Sequence, residues 1–295
     1  MSTPFTGAGV ALVTPFTSSG DLDERALRRM VRRQVEEGID FLVPCGTTGE
    51  SVTLSADEQL RVVQATVEEA AGRVPVLAGT GTNDTRASIE KTRRAAGAGA
   101  QGVLCVGPYY NKPTPDGFYR HFTAIAEAST VPVIVYNVPG RTGSNIDART
   151  QLRLAAHPNV GGVKEASGNM GQLMEVLRDR PAGFRVLSGD DVVTLPLMAL
   201  GAEGVISVVA NEAPRQMRDL TAACARGDFL GARELHNRLL RLMNLNFLES
   251  SPIPVKAAMA LMGLCQESYR LPLCPPADTT REALRAALKE LELLE

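Results

Sequence analysis

The sequence has no surplus of positive charge. Its 31 Lys and Arg stand against 33 Asp and Glu, for a formal net charge of -2, so it lacks the electrostatic footprint of a nucleic-acid binder. No apolar run approaches the roughly 18 residues that cross a bilayer, so no membrane-spanning helix is expected. Met1-Ser-Thr-Pro-Phe-Thr6 has no basic stretch leading into an apolar one, and no secretory leader is expected. The five cysteines (Cys45, Cys105, Cys224, Cys265 and Cys274) are odd in number and form no CxxC pair, which points to free thiols in a reduced, cytoplasmic compartment. The three histidines, His121, His157 and His236, share no ligand spacing, so no metal is expected. No Gly-Lys-Ser/Thr follows Gly46-Thr-Thr-Gly49, and Gly79-Thr-Gly-Thr-Asn83 lacks a third glycine. Neither is a nucleotide phosphate loop.

What is present is a regular alternation. Short apolar runs occur at Gly9–Val13, Asp40–Pro44, Pro75–Ala78, Gly102–Val106, Val131–Tyr136, Gly161–Lys164, Phe184–Leu187 and Gly204–Val208, with amphipathic stretches between them. Strands apolar on both faces and separated by helices form a parallel sheet covered on both sides. Eight such units over about 220 residues predict a (β/α)8 TIM barrel, with a doubly wound sheet as the alternative. Residues 1–225 are assigned to the barrel. From 226 to 295 the strands stop and a C-terminal helical appendage is expected. Ser55-Ala-Asp-Glu58 reads as a capping box, and Asp190-Asp191 as a cap for the helix that follows.

A barrel places chemistry at the C-terminal ends of its strands. Those ends carry Gly46-Thr-Thr-Gly-Glu50, Pro108-Tyr-Tyr-Asn111, Tyr136-Asn-Val-Pro-Gly-Arg-Thr-Gly143, Lys164 and Ser188-Gly-Asp-Asp191. Lysine is rare here: Lys91, Lys112, Lys164, Lys256 and Lys289 are all there are. Lys164 alone closes a strand, and the other four are expected to be solvated surface amines. A lysine nucleophile must be neutral, and burial supplies that by lowering its pKa. Tyr136 ends the neighbouring strand, close enough for a phenol to shuttle protons for an imine-forming amine. Thr47 and Thr48 sit in a glycine-flanked turn suited to a carboxylate. Arg141 offers a two-pronged fork to a second one.

Taken in order, Gly46-Thr-Thr-Gly-Glu-Ser51, Tyr109-Tyr-Asn111, Tyr136 to Gly143, Val163-Lys-Glu-Ala166, Ser188-Gly-Asp-Asp191 and Pro252-Ile-Pro-Val-Lys256 resemble the dihydrodipicolinate synthase family across the whole chain. The resemblance implies condensation of pyruvate with L-aspartate 4-semialdehyde in lysine (diaminopimelate) biosynthesis. Lys164 would form the pyruvate imine. Tyr136 would relay protons with Thr47 and with Tyr110, the last contributed across a dimer. Thr48 and the main chain at Ile206 would line the pyruvate pocket, and Arg141 would take the semialdehyde carboxylate. A homotetramer with no metal or organic cofactor is implied.

The same superfamily includes N-acetylneuraminate and 2-keto-3-deoxy-sugar-acid lyases, which stand as the alternative, and a non-catalytic keto-acid-binding barrel is a third reading. Members inhibited by lysine carry a histidine and a glutamate where this chain has Ala56 and Ala87. Feedback inhibition is therefore expected to be weak or absent. In a steady-state assay, sub-millimolar lysine should leave the rate unchanged, and clear inhibition there would refute the expectation.

Overall fold

Residues 3–294 are described by the structure, a computed structural model. Eight parallel strands run in the order β2-β1-β8-β7-β6-β5-β4-β3. They are β1 (Gly7–Ala11), β2 (Phe41–Val43), β3 (Leu77–Gly79), β4 (Gly102–Val106), β5 (Val133–Asn137), β6 (Val160–Glu165), β7 (Arg185–Ser188) and β8 (Gly204–Ser207). A parallel bridge between Leu42 and Val76 joins the two ends of that order. The sheet is thus a barrel, as the alternation predicts, and the doubly wound alternative is set aside.

The helices between the strands are α1 (Glu24–Glu36), α2 (Ala56–Ala70), α3 (Thr85–Gly97), α4 (Pro115–Ala128), the single turn α5 (Pro139–Thr142), α6 (Ala148–Ala155), α7 (Met170–Asp179) and α8 (Thr194–Ala199). α1 shows the local logic. The Asp23 carboxylate accepts from the Ala26 N–H at 2.9 Å, satisfying a donor that the first turn leaves open. Ala26, Leu27, Met30, Val31 and Gln34 then fall on one buried face. At α2 the capping box forms as the sequence implies, the Ser55 hydroxyl and Glu58 carboxylate each accepting the other's N–H.

Side-chain alternation along the strands separates two cores. Val133 and Val135 of β5 point out to the helices, while Ile134 and Tyr136 point into the barrel. Phe5 and Phe41 close the lower end of the interior, their rings edge to face 5.5 Å apart. Gly9 makes room for this plug, since a Cβ there would lie 2.1 Å from the Phe41 ring. Apolar filling below leaves the polar residues of the inner face at the upper rim.

Four helices follow β8: α9 (Pro214–Ala225), α10 (Phe229–Leu245), α11 (Ile253–Leu261) and α12 (Asp278–Glu290). α9 packs on β1 and β8, α10 on α9 and α8, and α12 on α10 and α11. α11 inserts Val255 and Met259 among Val13, Met30 and Val208, over the upper rim between β1 and β8. The chain that follows α10 therefore reaches the mouth of the barrel. Among the described residues, no helix is long and apolar enough to cross a membrane.

Candidate active site

Tyr136 and Lys164 are paired residues on adjacent strands. Both follow outward-facing residues, Val135 and Val163, so both side chains enter the barrel. The Lys164 Nζ lies 4.3 Å from the centre of the Tyr136 ring. Lys164 is only 6 % exposed. Burial lowers its pKa from 10.5 to about 8; Asp191 and Asp190 pull it back up, and Arg141 pushes it further down. Burial acts oppositely on Tyr136, whose phenol is pushed up to about 12. The site thus holds an amine that is partly neutral near physiological pH beside a phenol that keeps its proton, the pair of states that imine formation requires.

The loop after β2 is a tight succession of turns, in which the Gly49 N–H donates to the Gly46 carbonyl and the Glu50 N–H to the Thr47 carbonyl. The Thr14 hydroxyl pins it from below, donating to the Gly49 carbonyl at 2.7 Å. Thr47, Thr48, Tyr136, Arg141 and Lys164 line one lobe of a chamber at the barrel mouth. A second lobe of about 200 Å³ shares Thr47, Tyr136 and Arg141 with the first and extends to Ser51 and Tyr109. Arg141 rides on α5, where its Nη2 donates to the Ser251 carbonyl at 3.0 Å. Gly143 ends that turn at a φ of 71° and donates its N–H to the Pro139 carbonyl.

Five of the seven expected residues thus line the chamber. Ile206 lies just beneath the chamber, packed with Tyr136 in the inner core. Tyr110 stands apart at φ 69°, on the outer surface and 91 % exposed. Asp190-Asp191 is not the helix cap expected of it. Neither residue caps α8, which starts after Val193 without a side-chain cap. Asp190 accepts from the Val192 N–H within its own turn, and Asp191 reaches across to the N–H groups of Val208 and Val209, both at 3.0 Å. Open backbone donors after β8 outcompete the helix end. No cluster of three or more His, Cys, Asp or Glu able to hold a metal is found among the described residues.

A family model described as the dihydrodipicolinate synthetase family matches residues 4–291. The chain belongs to this family. It is 50 % identical over 296 residues to a 4-hydroxy-tetrahydrodipicolinate synthase of Chlorobium phaeobacteroides, covering 100 % of this chain and 99 % of that one. The dihydrodipicolinate synthase structure from Thermotoga maritima superposes with a TM-score of 0.97 at 45 % identity, covering 99 % and 100 % of the two chains. The enzyme from Acinetobacter baumannii, solved in complex with pyruvate, gives 0.96 at 44 %, covering 98 % and 99 %.

Beneath the chamber lies a buried charge pair that the expected surface position of Lys256 does not anticipate. Lys256, expected to be a solvated surface amine, is fully buried and forms an ion pair with Glu50. Helical periodicity places Lys256 on α11 but says nothing of that helix being buried between the barrel rim and α12. The one available signal was its setting in the apolar run Pro252-Ile-Pro-Val-Lys-Ala-Ala258, where a solvated lysine has no polar face to occupy.

The depressed Lys164 pKa carries a stability consequence. The folded state favours the neutral amine, so the unfolded chain binds more protons and stability rises with pH. The cost of burial is fully present below about 8 and fades as pH rises towards 10.5; it amounts to about 3 kcal/mol. Lys164→Met should therefore raise the unfolding temperature at pH 7 by several degrees, with the gain shrinking towards pH 10. A pH-independent gain, or none, in a thermal unfolding series would contradict this.

Proposed function

We propose that the chain is a class I aldolase-type lyase that condenses pyruvate with L-aspartate 4-semialdehyde to 4-hydroxy-tetrahydrodipicolinate, in the cytoplasm. The pairing of Lys164 with Tyr136 across β5 and β6, inside an otherwise apolar barrel, is the observation that carries this reading. The neutral Lys164 amine attacks the keto carbon of pyruvate. Tyr136 delivers the proton with which water leaves, giving an imine. Loss of a proton from the methyl carbon turns the imine into an enamine, which is nucleophilic towards the aldehyde carbon.

Thr48, with Thr47, holds the pyruvate carboxylate through hydroxyl and backbone donors, and the main chain at Ile206 floors the pocket. Arg141 takes the carboxylate of the second substrate at the rim; its contact with the Ser251 carbonyl uses one prong of the guanidinium and aims the rest. Tyr110 faces away from its own chamber, an exposure that suits service in a neighbouring copy. A homotetramer built of such dimers, using no metal or organic cofactor, completes the reading. The sugar-acid lyase and non-catalytic alternatives are not favoured, since the family match and the relatives' names point to the synthase.

Borohydride reduction in the presence of pyruvate should add one three-carbon unit to the peptide carrying Lys164. Lys164→Ala should abolish the adduct, and its persistence on another residue would sink the mechanism. Arg141→Ala should lower kcat/KM for the semialdehyde by about a hundredfold, as expected for loss of a bidentate carboxylate contact, while pyruvate trapping stays near wild type. An unchanged semialdehyde specificity constant would remove Arg141 from its role.

A further inference from the structure

The buried ion pair between Glu50 and Lys256 joins the Gly46–Glu50 loop to a helix 206 positions later in the chain. Glu50 is 2 % exposed and sits in left-handed backbone, φ 51° and ψ 35°, a conformation a non-glycine residue keeps only when its surroundings enforce it. The enforcement is visible. One carboxylate oxygen meets the Lys256 Nζ, and the other accepts the Arg270 N–H at 3.4 Å. The Glu50 carbonyl accepts from the N–H and hydroxyl of Thr53. Lys256 is held in turn, with its Nζ donating to the Ser268 carbonyl at 2.8 Å and lying 4.2 Å from the Phe16 ring centre.

Stability alone does not call for such a pair, because replacing buried ion pairs with well-packed apolar groups is often neutral or stabilising. Its placement suggests the reason. The Glu50 N–H donates to the Thr47 carbonyl at 3.1 Å, so a movement of Glu50 is passed directly to the threonine turn. An uncompensated carboxylate in that turn would also repel an incoming carboxylate. We infer that Glu50 and Lys256 are positioning residues: the pair fixes the Thr47-Thr48 turn and cancels its negative charge, so that the turn receives the keto-acid carboxylate. This rests on the reading of that turn as the pyruvate carboxylate site.

The test compares Lys256→Met, Lys256→Arg and the neutral double variant Glu50→Gln/Lys256→Met with wild type. Each is followed by thermal unfolding, by borohydride trapping against pyruvate concentration, and by steady-state kinetics. Lys256→Met leaves a buried charge unpaired and should lose stability, whereas the double variant should regain the wild-type unfolding temperature. The double variant should nevertheless need about tenfold more pyruvate for half-maximal trapping, with kcat at saturating pyruvate within about threefold of wild type. Lys256→Arg should lie between the two. Thr48→Val, run in parallel, separates the two ways of failing. If it too leaves the pyruvate requirement unchanged, the carboxylate reading of the turn falls and the inference with it. If Thr48→Val raises the requirement while a stable double variant binds pyruvate like wild type, the inference alone is wrong.

Discussion

Desolvation of one amine is the constraint on which the rest of the structure depends. A lysine in water is almost wholly protonated at neutral pH and useless as a nucleophile. Lowering its pKa takes an enclosure without unpaired backbone groups, and a parallel barrel closed through Leu42 and Val76 provides that. The interior must be apolar below the amine, as Leu104, Ile134, Leu187 and Ile206 make it. The cost of about 3 kcal/mol is a large share of the 5–15 kcal/mol by which folded domains are typically stable. Apolar burial elsewhere in a large barrel offsets it, and a much smaller scaffold would struggle to do so.

Control of nearby negative charge matters as much as burial. Glu165 follows Lys164 directly, yet strand alternation turns it to the other face. There its carboxylate accepts from Asn137, Gln151, Gln172 and the Ser167 N–H, neutral donors that hold it away from the amine. The acids that do act on Lys164 are Asp191 and Asp190, reached through space from the next strand end. Asp191 forms no ion pair among the described residues. The Ser207 side chain and two backbone donors hold it, and burial raises its own pKa, so it tempers the amine's shift without reversing it. Glu50 alone receives a formal cation, and it alone belongs to the turn expected to hold an anion. Four buried or half-buried carboxylates near one chamber are thus managed in different ways, according to what each stands beside.

The barrel was legible in the sequence because its strands are apolar on both faces and its helices are capped in ways that leave local signals, such as Ser55 with Glu58. The chamber was legible because barrel geometry sends every strand end to one rim: once eight strands were counted, Thr47, Thr48, Tyr136, Arg141 and Lys164 had to be neighbours. Long-range pairing was not legible. Nothing near Glu50 announces Lys256, and nothing near Asp191 announces the backbone donors after β8. Local rules favoured a helix cap for Asp191 and water for Lys256, and tertiary packing overrode both. The short helix carrying Arg141 was hidden for a related reason, since four residues are too few to show a helical period.

The short helix that carries Arg141 bears on how chemistry and selectivity are divided. Lys164 and Tyr136 project from paired strands of the barrel ladder, so the proposed imine-forming pair is fixed by the sheet itself. Arg141 projects from a four-residue helix at the rim and is steadied by a carbonyl of the segment between α10 and α11. Phe247 and Ser251 of that same segment line the chamber. The C-terminal region therefore does more than cover the barrel: Lys256 of α11 pairs with Glu50 of the threonine turn, and Phe247 and Ser251 line the opposite part of the chamber. On the proposed reading, changes in that segment alter which aldehyde is accepted while leaving the amine, the phenol and their spacing intact. A barrel that makes one kind of enamine can in this way be tuned to different partners from its rim.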